Sequence, residues 1–356
     1  MAVLNKLSVI MPFVNEPWAA FTLQSLILEL ERAEFPWEII SINNWCERVA
    51  NQVINADPPR TRKELNNFIF KTDDRWGQKM QGLSAVRGNT IYVEYKEKLS
   101  HWNAKNAGVS ASTGDVLFFI DSHCMATQGR LRAMFKCYQE NEQQIHGSLH
   151  LPIAYLGANA GQSLIYKPVM TPEHGEYHYS FTRYRYEFNP YTVPCMSTCG
   201  MMISKEIFNN LGGWPRELGI YSGGEHFMNY TMAVLGYNKV IFPGAPLYHE
   251  GKEKRGYSSD ASDMIRNRFI ASYMYGGDVL LELYAHYSKG RPNVKEMYVK
   301  EIKDKCRTQR SMIALSQKCH IDYWWKDWAG KLLSINMEPY MSQSLKVLKS
   351  VQHTLK

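Results

Sequence analysis

The sequence predicts an α/β protein: a mostly parallel sheet with helices on both faces, followed by a helical C-terminal extension. Short and continuously apolar segments such as LSVIMPF (7–13) alternate with segments whose apolar residues recur at helical spacing. Strands that are apolar on both faces are typical of buried parallel sheets. After Ser258 the apolar pattern is helical to the end of the chain.

The N-terminal part supplies the first strands and helices in alternation. Strands are predicted at 7–13, 37–43, 91–95 and 115–121, and helices at 18–32 and 101–112. The region from about 47 to 90 is polar, with weak periodicity, and receives no element.

Further helices and strands are predicted between residues 129 and 244 from the same helix and strand periodicities. It comprises a helix at 129–141, a strand at 146–156, a strand at 197–204, helices from 205 and over 223–237, and a strand at 238–244. The segment 166–191 is rich in Tyr, His, Pro and Arg and fits neither period.

Composition indicates a folded protein made in the cytosol. Hydrophobic residues make up 45% of the 356 residues, and no apolar run reaches the roughly 18 residues of a membrane span. The N-terminus runs directly into a strand pattern without a signal-peptide cleavage motif, so a soluble cytoplasmic protein is expected. Seven scattered cysteines predict reduced thiols rather than a disulfide framework.

Positive charge is concentrated at the C-terminal end. From Gly251 onward there are 19 Lys and Arg against 11 Asp and Glu, whereas the whole chain carries only +7. This predicts either a solvated helical surface or a patch for an anionic partner such as nucleic acid.

The stretch FFIDSHC (118–124) ends a core strand on Asp121 and His123. Side chains two positions apart on a strand point the same way, and ligands of open parallel sheets collect beyond the carboxyl ends of the strands. A carboxylate and an imidazole suit Mn²⁺ or another first-row divalent ion, with water or diphosphate oxygens as further ligands. A capping Asp beside a surface His is the alternative for this motif taken alone.

Four ordered motifs carry a family resemblance: Pro12-Phe13-Val14-Asn15-Glu16, Asp121-Ser122-His123, Gly223-Gly224-Glu225 and His249. Over residues 5 to 257 the chain resembles GT-A glycosyltransferases of family 2, and more closely the polypeptide N-acetylgalactosaminyltransferases. The resemblance implies a GT-A catalytic domain over 1–257. The remaining region, 258–356, is expected to be basic, mainly helical and able to bind an acceptor.

The resemblance also implies the site. Asp121, His123 and His249 would bind a divalent metal, Mn²⁺ or else Mg²⁺, that holds the diphosphate of a nucleotide sugar. Glu225 and His226 are the catalytic candidates. The residues expected to bind the donor are Pro12, Phe13, Glu16, Asn43, Asn44, Lys105, Asp121, Lys254 and Arg255.

Two departures from the family pattern leave the chemistry open. Asn43-Asn44 stands where members usually carry an acidic residue that contacts the base, so the base preference is undecided. Glu225-His226 stands where inverting members commonly carry an acidic pair. Two mechanisms are therefore open: inversion, with Glu225 or His226 as general base, or retention by front-face substitution.

The sequence therefore predicts a metal-dependent glycosyltransferase that uses a nucleotide sugar, with UDP as the expected nucleotide. A hydroxymethylated pyrimidine in DNA is the favoured acceptor, because the basic tail carries Trp324, Trp325 and Trp328 for stacking. A protein Ser/Thr hydroxyl and a polysaccharide are the other acceptors. A non-catalytic domain that binds a nucleotide sugar or an anionic polymer, and a hydrolase of the donor, are the alternatives of other classes.

Overall fold

Strands and helices alternate along the protein as the sequence predicts. The computed structural model describes residues 4–14, 16, 18–44, 86–87, 89–155, 163–171, 176–183, 187–250, 261–288, 297–322, 324 and 330–341. The strands are β1 (Leu7–Phe13), β2 (Trp37–Asn43), β3 (Val86–Arg87), β4 (Thr90–Glu94), β5 (Val116–Phe119), β6 (Cys124–Ala126), β7 (Gly147–His150), β8 (Ile153–Tyr155), β9 (Ser163–Thr171), β10 (Glu176–Arg183), β11 (Tyr191–Thr192), β12 (Met201–Ser204), β13 (Asn238–Ile241) and β14 (Leu247–His249). The helices are α1 (Ala19–Leu30), α2 (His101–Ala111), α3 (Arg130–Ile145), α4 (Lys205–Asn210), α5 (Gly224–Val234), α6 (Ala261–Tyr287) and α7 (Met297–Ser316), with a short 3₁₀ helix at Glu338–Tyr340.

The described strands form a nine-stranded sheet and a five-stranded sheet. The order in the larger sheet is β11-β13-β7-β12-β5-β1-β2-β4-β3. Six of these nine strands run in one direction, and β3, β11 and β12 run against them. The smaller sheet has the order β10-β9-β8-β14-β6. The predicted mostly parallel sheet is confirmed, and the second sheet is a feature that the periodicity did not indicate.

Helices cover both faces of the large sheet. On one face Ile10 and Ile42 share a buried cluster with residues of α2, α5, α6 and α7. On the other face Val9 and Met11 pack with residues of α1 and α3. Since neighbouring residues of β1 enter different clusters, alternation along the strand accounts for the continuously apolar sequence of β1.

One predicted strand is two strands in different sheets. The segment 146–156 divides at Leu151-Pro152 into β7, in the large sheet, and β8, in the small one. Proline has no N–H to donate to a sheet, so a single strand through Pro152 was the wrong prediction.

The C-terminal region is helical through α6 and α7 and then returns to the sheet. Residues 330–341 contain a β-bridge at Leu332 and the 3₁₀ helix Glu338–Tyr340 but no α-helix, so the prediction of helix to the end of the chain is wrong for this segment. The Thr192 N–H donates to the Lys331 carbonyl oxygen at 2.9 Å and the Leu333 N–H to that of Pro190 at 2.8 Å. Ile335 and Met337 are buried beside α3 in the α1 and α3 cluster. In this segment, backbone pairing with the edge of the large sheet and burial against α3 outweigh the helical spacing of the local sequence.

Across the residues that the structure describes, no helix has both the length and the apolar character needed to cross a membrane. The six described cysteines are free thiols, as predicted.

Candidate metal and donor site

Asp121 and His123 lie on the connection between β5 and β6. The core strand ends at Phe119, and Ser122 and His123 form a turn before β6 begins, so strand alternation is the wrong reason for their alignment. Helix α1 fixes this turn, because the Thr22 hydroxyl donates to the Ser122 carbonyl oxygen at 2.9 Å and accepts from the Cys124 N–H at 3.1 Å. The turn brings the two side chains together where the large sheet passes to the small one.

The register of the small sheet brings His249 to the same point. β14 pairs antiparallel with β6, with His249 opposite Cys124, and parallel with β8, with His249 opposite Tyr155. The Glu250 N–H also donates to the His123 carbonyl oxygen at 3.0 Å. Residues 126 positions apart in sequence therefore become neighbours through main-chain pairing.

The side chains of Asp121, His123 and His249 form a cluster that can hold a metal ion. One ligand atom from each lies within 4.8 Å of the others. The Nε2 atoms of the two histidines are 3.1 Å apart, and His249 Nε2 is 3.8 Å from Asp121 Oδ2. Two imidazole nitrogens that face one another beside a carboxylate oxygen form a donor set that fits a first-row divalent cation.

Glu16 lies against the first histidine of this cluster. Its Oε2 is 3.3 Å from His123 Nδ1. A carboxylate near Nδ1 favours a proton on that nitrogen, which would leave Nε2 as the metal-binding atom, an arrangement common behind metal-binding histidines. The sequence predicted Glu16 as a donor-binding residue, and the contact with His123 was not anticipated.

Asp121 is surrounded by positive and imidazole groups. Lys105 Nζ and His101 Nε2 each lie 3.5 Å from Asp121 Oδ1. Burial alone would raise the pKa of Asp121, but the charges of Lys105 and His101 and a hydrogen bond from His249 hold it well below its usual range. Asp121 is therefore an anion at neutral pH and available as a metal ligand.

Glu225 stands at the start of α5 with its carboxylate held by three donors. Oε2 accepts from the Tyr179 hydroxyl at 2.6 Å. Oε1 accepts from the Ser197 hydroxyl at 2.8 Å and the Thr198 N–H at 3.2 Å. The next residue, His226, is only 4% exposed, and its ring packs 4.6 Å from that of Tyr179. Of the two predicted catalytic residues, only Glu225 is partly open to solvent.

The predicted donor-binding residues fall into distinct environments. Phe13, beside Pro12 at the end of β1, is 3% exposed, and Lys105 is completely buried. Asn43 donates from Nδ2 to the Tyr92 hydroxyl at 2.9 Å. Asn44 donates to the Lys98 carbonyl oxygen at 2.8 Å and accepts from the Ser100 N–H at 2.8 Å, which fixes the chain before α2. Asn15, Lys254 and Arg255 lie outside the described residues.

Sequence reasoning missed His101, Tyr179, Ser197 and Thr198. His101 and Lys105 are one helical turn apart on α2, and this spacing was a usable signal for two side chains on one face. Tyr179 reaches Glu225 from the small sheet, and nothing in its local sequence indicates that contact.

Comparisons with known proteins identify the family of this chain. Residues 63–252, more than half of the chain, match the family model described as "Glycosyltransferase like family 2". The chain is 22% identical over 331 residues to polypeptide N-acetylgalactosaminyltransferase 11 of Xenopus tropicalis, covering 88% of this chain and 49% of the relative. It is 23% identical over 300 residues to polypeptide N-acetylgalactosaminyltransferase 6 of Mus musculus, covering 78% and 46%. The chain thus spans about half the length of the curated relatives it matches.

A solved structure shares the fold. The crystal structure of GalNAc-T7 with UDP, GalNAc and Mn²⁺ superposes with a TM-score of 0.60 at 14% identity, covering 91% of this chain and 56% of that one. The predicted GT-A fold is therefore confirmed. The range matched by the family model, 63–252, includes Asp121-Ser122-His123, Gly223-Gly224-Glu225 and His249. The chain belongs to glycosyltransferase-like family 2.

Proposed function

We propose that this protein transfers a sugar from a UDP-linked donor to a hydroxyl group, with the donor diphosphate bound through a divalent cation at Asp121, His123 and His249. The observation that carries the proposal is the convergence of these three side chains from the β5–β6 connection and β14. Membership of a glycosyltransferase family and a neighbour crystallised with UDP and Mn²⁺ support the donor and the metal.

Mn²⁺ is the proposed ion, since one carboxylate and two imidazoles leave coordination positions for diphosphate oxygens. A divalent ion held by these residues would supply a Lewis acid that neutralises the charge developing on the departing nucleoside diphosphate. Glu16 orients His123 for this role, and the backbone pairing of β14 with β6 and β8 holds His249 in place.

Glu225 is the proposed catalytic carboxylate. Tyr179, Ser197 and Thr198 fix its orientation, so that it can meet a hydroxyl of the donor sugar or of the acceptor. His226 is a weaker candidate, because it is 4% exposed and packs against Tyr179. With inversion Glu225 would accept a proton from the attacking hydroxyl, whereas with retention it would only orient the sugar.

For the acceptor we propose a Ser or Thr hydroxyl of a polypeptide, on the strength of the similarity to polypeptide N-acetylgalactosaminyltransferases. The comparisons give no support to hydroxymethylated DNA. Trp324 packs against Tyr230 and under Lys239, which lies 4.9 Å from its ring centroid, so it is engaged within the protein. The basic residues Arg266, Lys303 and Lys305 of α6 and α7 are paired with acidic side chains, which reduces the field available to an anionic polymer.

The first test is calorimetric titration of UDP into the protein with Mn²⁺ and with EDTA. We expect binding with Mn²⁺, loss of binding in EDTA, and at least about tenfold weaker binding in His249→Ala. His320→Ala is the control, because His320 also pairs with an aspartate, Asp322, but is not a member of the cluster. UDP binding that is equal with and without Mn²⁺, in wild type and His249→Ala alike, would remove the metal from the proposal.

The acceptor is tested by incubation with UDP-GalNAc and Mn²⁺ and either Ser/Thr peptides or DNA with hydroxymethylcytosine. We expect an N-acetylhexosamine mass increment on the peptides, and the anomeric configuration of the product, determined by NMR, separates inversion from retention. Modification of DNA alone would overturn the polypeptide acceptor. Release of free sugar without any acceptor product would indicate a hydrolase, and donor binding without turnover a binding domain.

A further inference from the structure

The two carboxylate oxygens of Asp121 face different groups. Oδ1 is 3.5 Å from both Lys105 Nζ and His101 Nε2, whereas Oδ2 is 3.8 Å from His249 Nε2. The main-chain N–H of the same residue donates to Cys199 Sγ at 3.4 Å. One oxygen is therefore directed toward α2 and the other toward the histidines of the cluster.

Lys105 is enclosed so completely that a direct contact with a donor diphosphate is excluded in this conformation. Its side chain has no exposed surface. The rings of Trp102, Phe119 and Trp214 lie 5.4 to 6.0 Å from its Nζ. Nζ also donates to Thr198 Oγ1 at 3.5 Å. A buried ammonium needs a nearby anion, and the carboxylate within ion-pair distance is that of Asp121.

Helix α2 presents His101 and Lys105 from one rigid face. The two residues are four positions apart, so their side chains are neighbours on the helix surface. The helix is capped by Ser100, whose hydroxyl accepts from the Asn103 N–H at 3.2 Å. An added methyl at Gly108 would lie 2.7 Å from Ile42 Cδ1, so the helix is seated closely on β2.

We propose that His101 and Lys105 are positioning residues, which hold Oδ1 of Asp121 so that Oδ2 remains directed at the divalent cation shared with His123 and His249. This rests on the proposed metal site. Lys105 thereby acts on the donor through Asp121 and the metal, not by contact with phosphate. The pair forms an outer layer of the site on the Asp121 side, as Glu16 does on the His123 side.

The first experiment measures Mn²⁺ affinity by electron paramagnetic resonance of the free ion, without donor or acceptor. We expect Lys105→Met and His101→Leu each to weaken Mn²⁺ binding about 10- to 100-fold. His101→Gln, whose side-chain amide can still donate to Oδ1, should retain most of the affinity. Lys239→Met is the matched control, because Lys239 is also a buried lysine over a tryptophan ring but lies on β13 and contacts no member of the cluster.

A second experiment detects the pair without any metal. In EDTA, Asp121→Ala should lower the melting temperature by about 4 to 7 °C, because it leaves the Lys105 ammonium buried without its anion. Adding Lys105→Met to Asp121→Ala should restore most of the loss, whereas adding Lys239→Met should not.

The outcomes separate this inference from the proposed function. If wild type binds Mn²⁺ and both Lys105→Met and His101→Leu bind it equally well, positioning is overturned while the metal site stands. If wild type does not bind Mn²⁺, the metal site fails and the positioning role fails with it. If the shifts in melting temperature caused by Asp121→Ala and Lys105→Met simply add in the double variant in EDTA, Lys105 and Asp121 do not form a coupled pair.

Discussion

His150 lies in the core behind Glu225, within a chain of hydrogen bonds that ends at that carboxylate. Its Nε2 is 2.7 Å from the Ser148 hydroxyl oxygen, and its Nδ1 is 3.2 Å from the Ser197 carbonyl oxygen. The Ser197 hydroxyl in turn donates to Glu225. A buried histidine thus supports the segment that holds the candidate catalytic residue.

Because His150 is buried, it makes the stability of the fold sensitive to acid. Burial is the main cause that lowers the pKa of His150 to about 3, and the charge of Lys239 acts in the same direction. The hydrogen bond to Ser197 opposes them by raising the pKa. In the unfolded chain the imidazole protonates near pH 6.5, so the unfolded state binds more protons between pH 6.5 and 3, and stability falls as the pH falls through that window. Between pH 6.5 and 5 the loss is about 2 kcal/mol.

His150→Gln should remove this contribution. We expect the difference in free energy of unfolding between pH 7 and pH 5, measured by urea titration, to be about 2 kcal/mol smaller in His150→Gln than in wild type. His286→Gln, at an exposed position on α6, is the control and should behave as wild type. An unchanged pH dependence in His150→Gln would show that this histidine is not the acid-labile group.

For single residues, the sequence could predict the roles of those that belong to a family motif. It could not predict the roles of residues that depend on packing. Asp121, His123 and His249 were predicted to act together, and the structure brings them within 4.8 Å. Asn44 was expected to meet a base, but its amide is used by main-chain groups before α2. Whether an amide serves the fold or a ligand depends on which loop approaches it, and a single sequence does not contain that information.

At the scale of elements, apolar runs predicted the strands well, and their ends less well. β1 and β2 have the predicted limits, and every residue of the two strands except Trp37 is buried. The fourth predicted strand ends at Phe119 instead of Asp121, since the chain there leaves the large sheet for the small one. An apolar pattern reports burial and does not report which sheet a strand joins.

Gly108 shows how closely α2 is seated on β1 and β2. A Cβ at this position would lie 2.7 Å from Ile42 Cδ1 and 2.8 Å from Ile10 Cγ2, and both isoleucines are fully buried. Gly108→Ala gains about 1 kcal/mol of helix propensity, but overpacking a core costs about 1–3 kcal/mol. We expect a net loss of stability of about 1 kcal/mol, measured by urea unfolding.

Ser110→Ala is the matched control, because Ser110 is exposed on the same helix. It should be neutral or slightly stabilising, since it gains helix propensity without meeting another element. A Gly108→Ala variant that is more stable than wild type would mean that α2 can move away from β1 and β2. That freedom would also weaken the case for His101 and Lys105 as positioning residues.

At the scale of the whole molecule, the C-terminal helices belong to the same core as the sheet. Phe269 of α6 and Ile302 of α7 lie in one buried cluster with Ile10 and Phe119 of the sheet. The sequence predicted a catalytic domain at 1–257 and a basic, mainly helical region at 258–356 that can bind an acceptor. The charge and the helical spacing predicted the exposed surface of this region. They did not predict that its apolar side packs against the sheet.

Because this core is shared, we expect α6 and α7 to unfold together with the sheet. Phe269 is 1% exposed, with ring contacts at 4.4 Å to Tyr284 and 6.4 Å to Tyr298, so Phe269→Ala should cost about 3–5 kcal/mol. Urea unfolding followed by far-UV circular dichroism and by tryptophan fluorescence should give coincident transitions, both displaced to lower urea by Phe269→Ala. Val279→Ala, at a side chain 75% exposed on the same helix, should leave them almost unmoved. Two separate transitions, of which Phe269→Ala displaces only one, would instead establish the helical region as an independent unit.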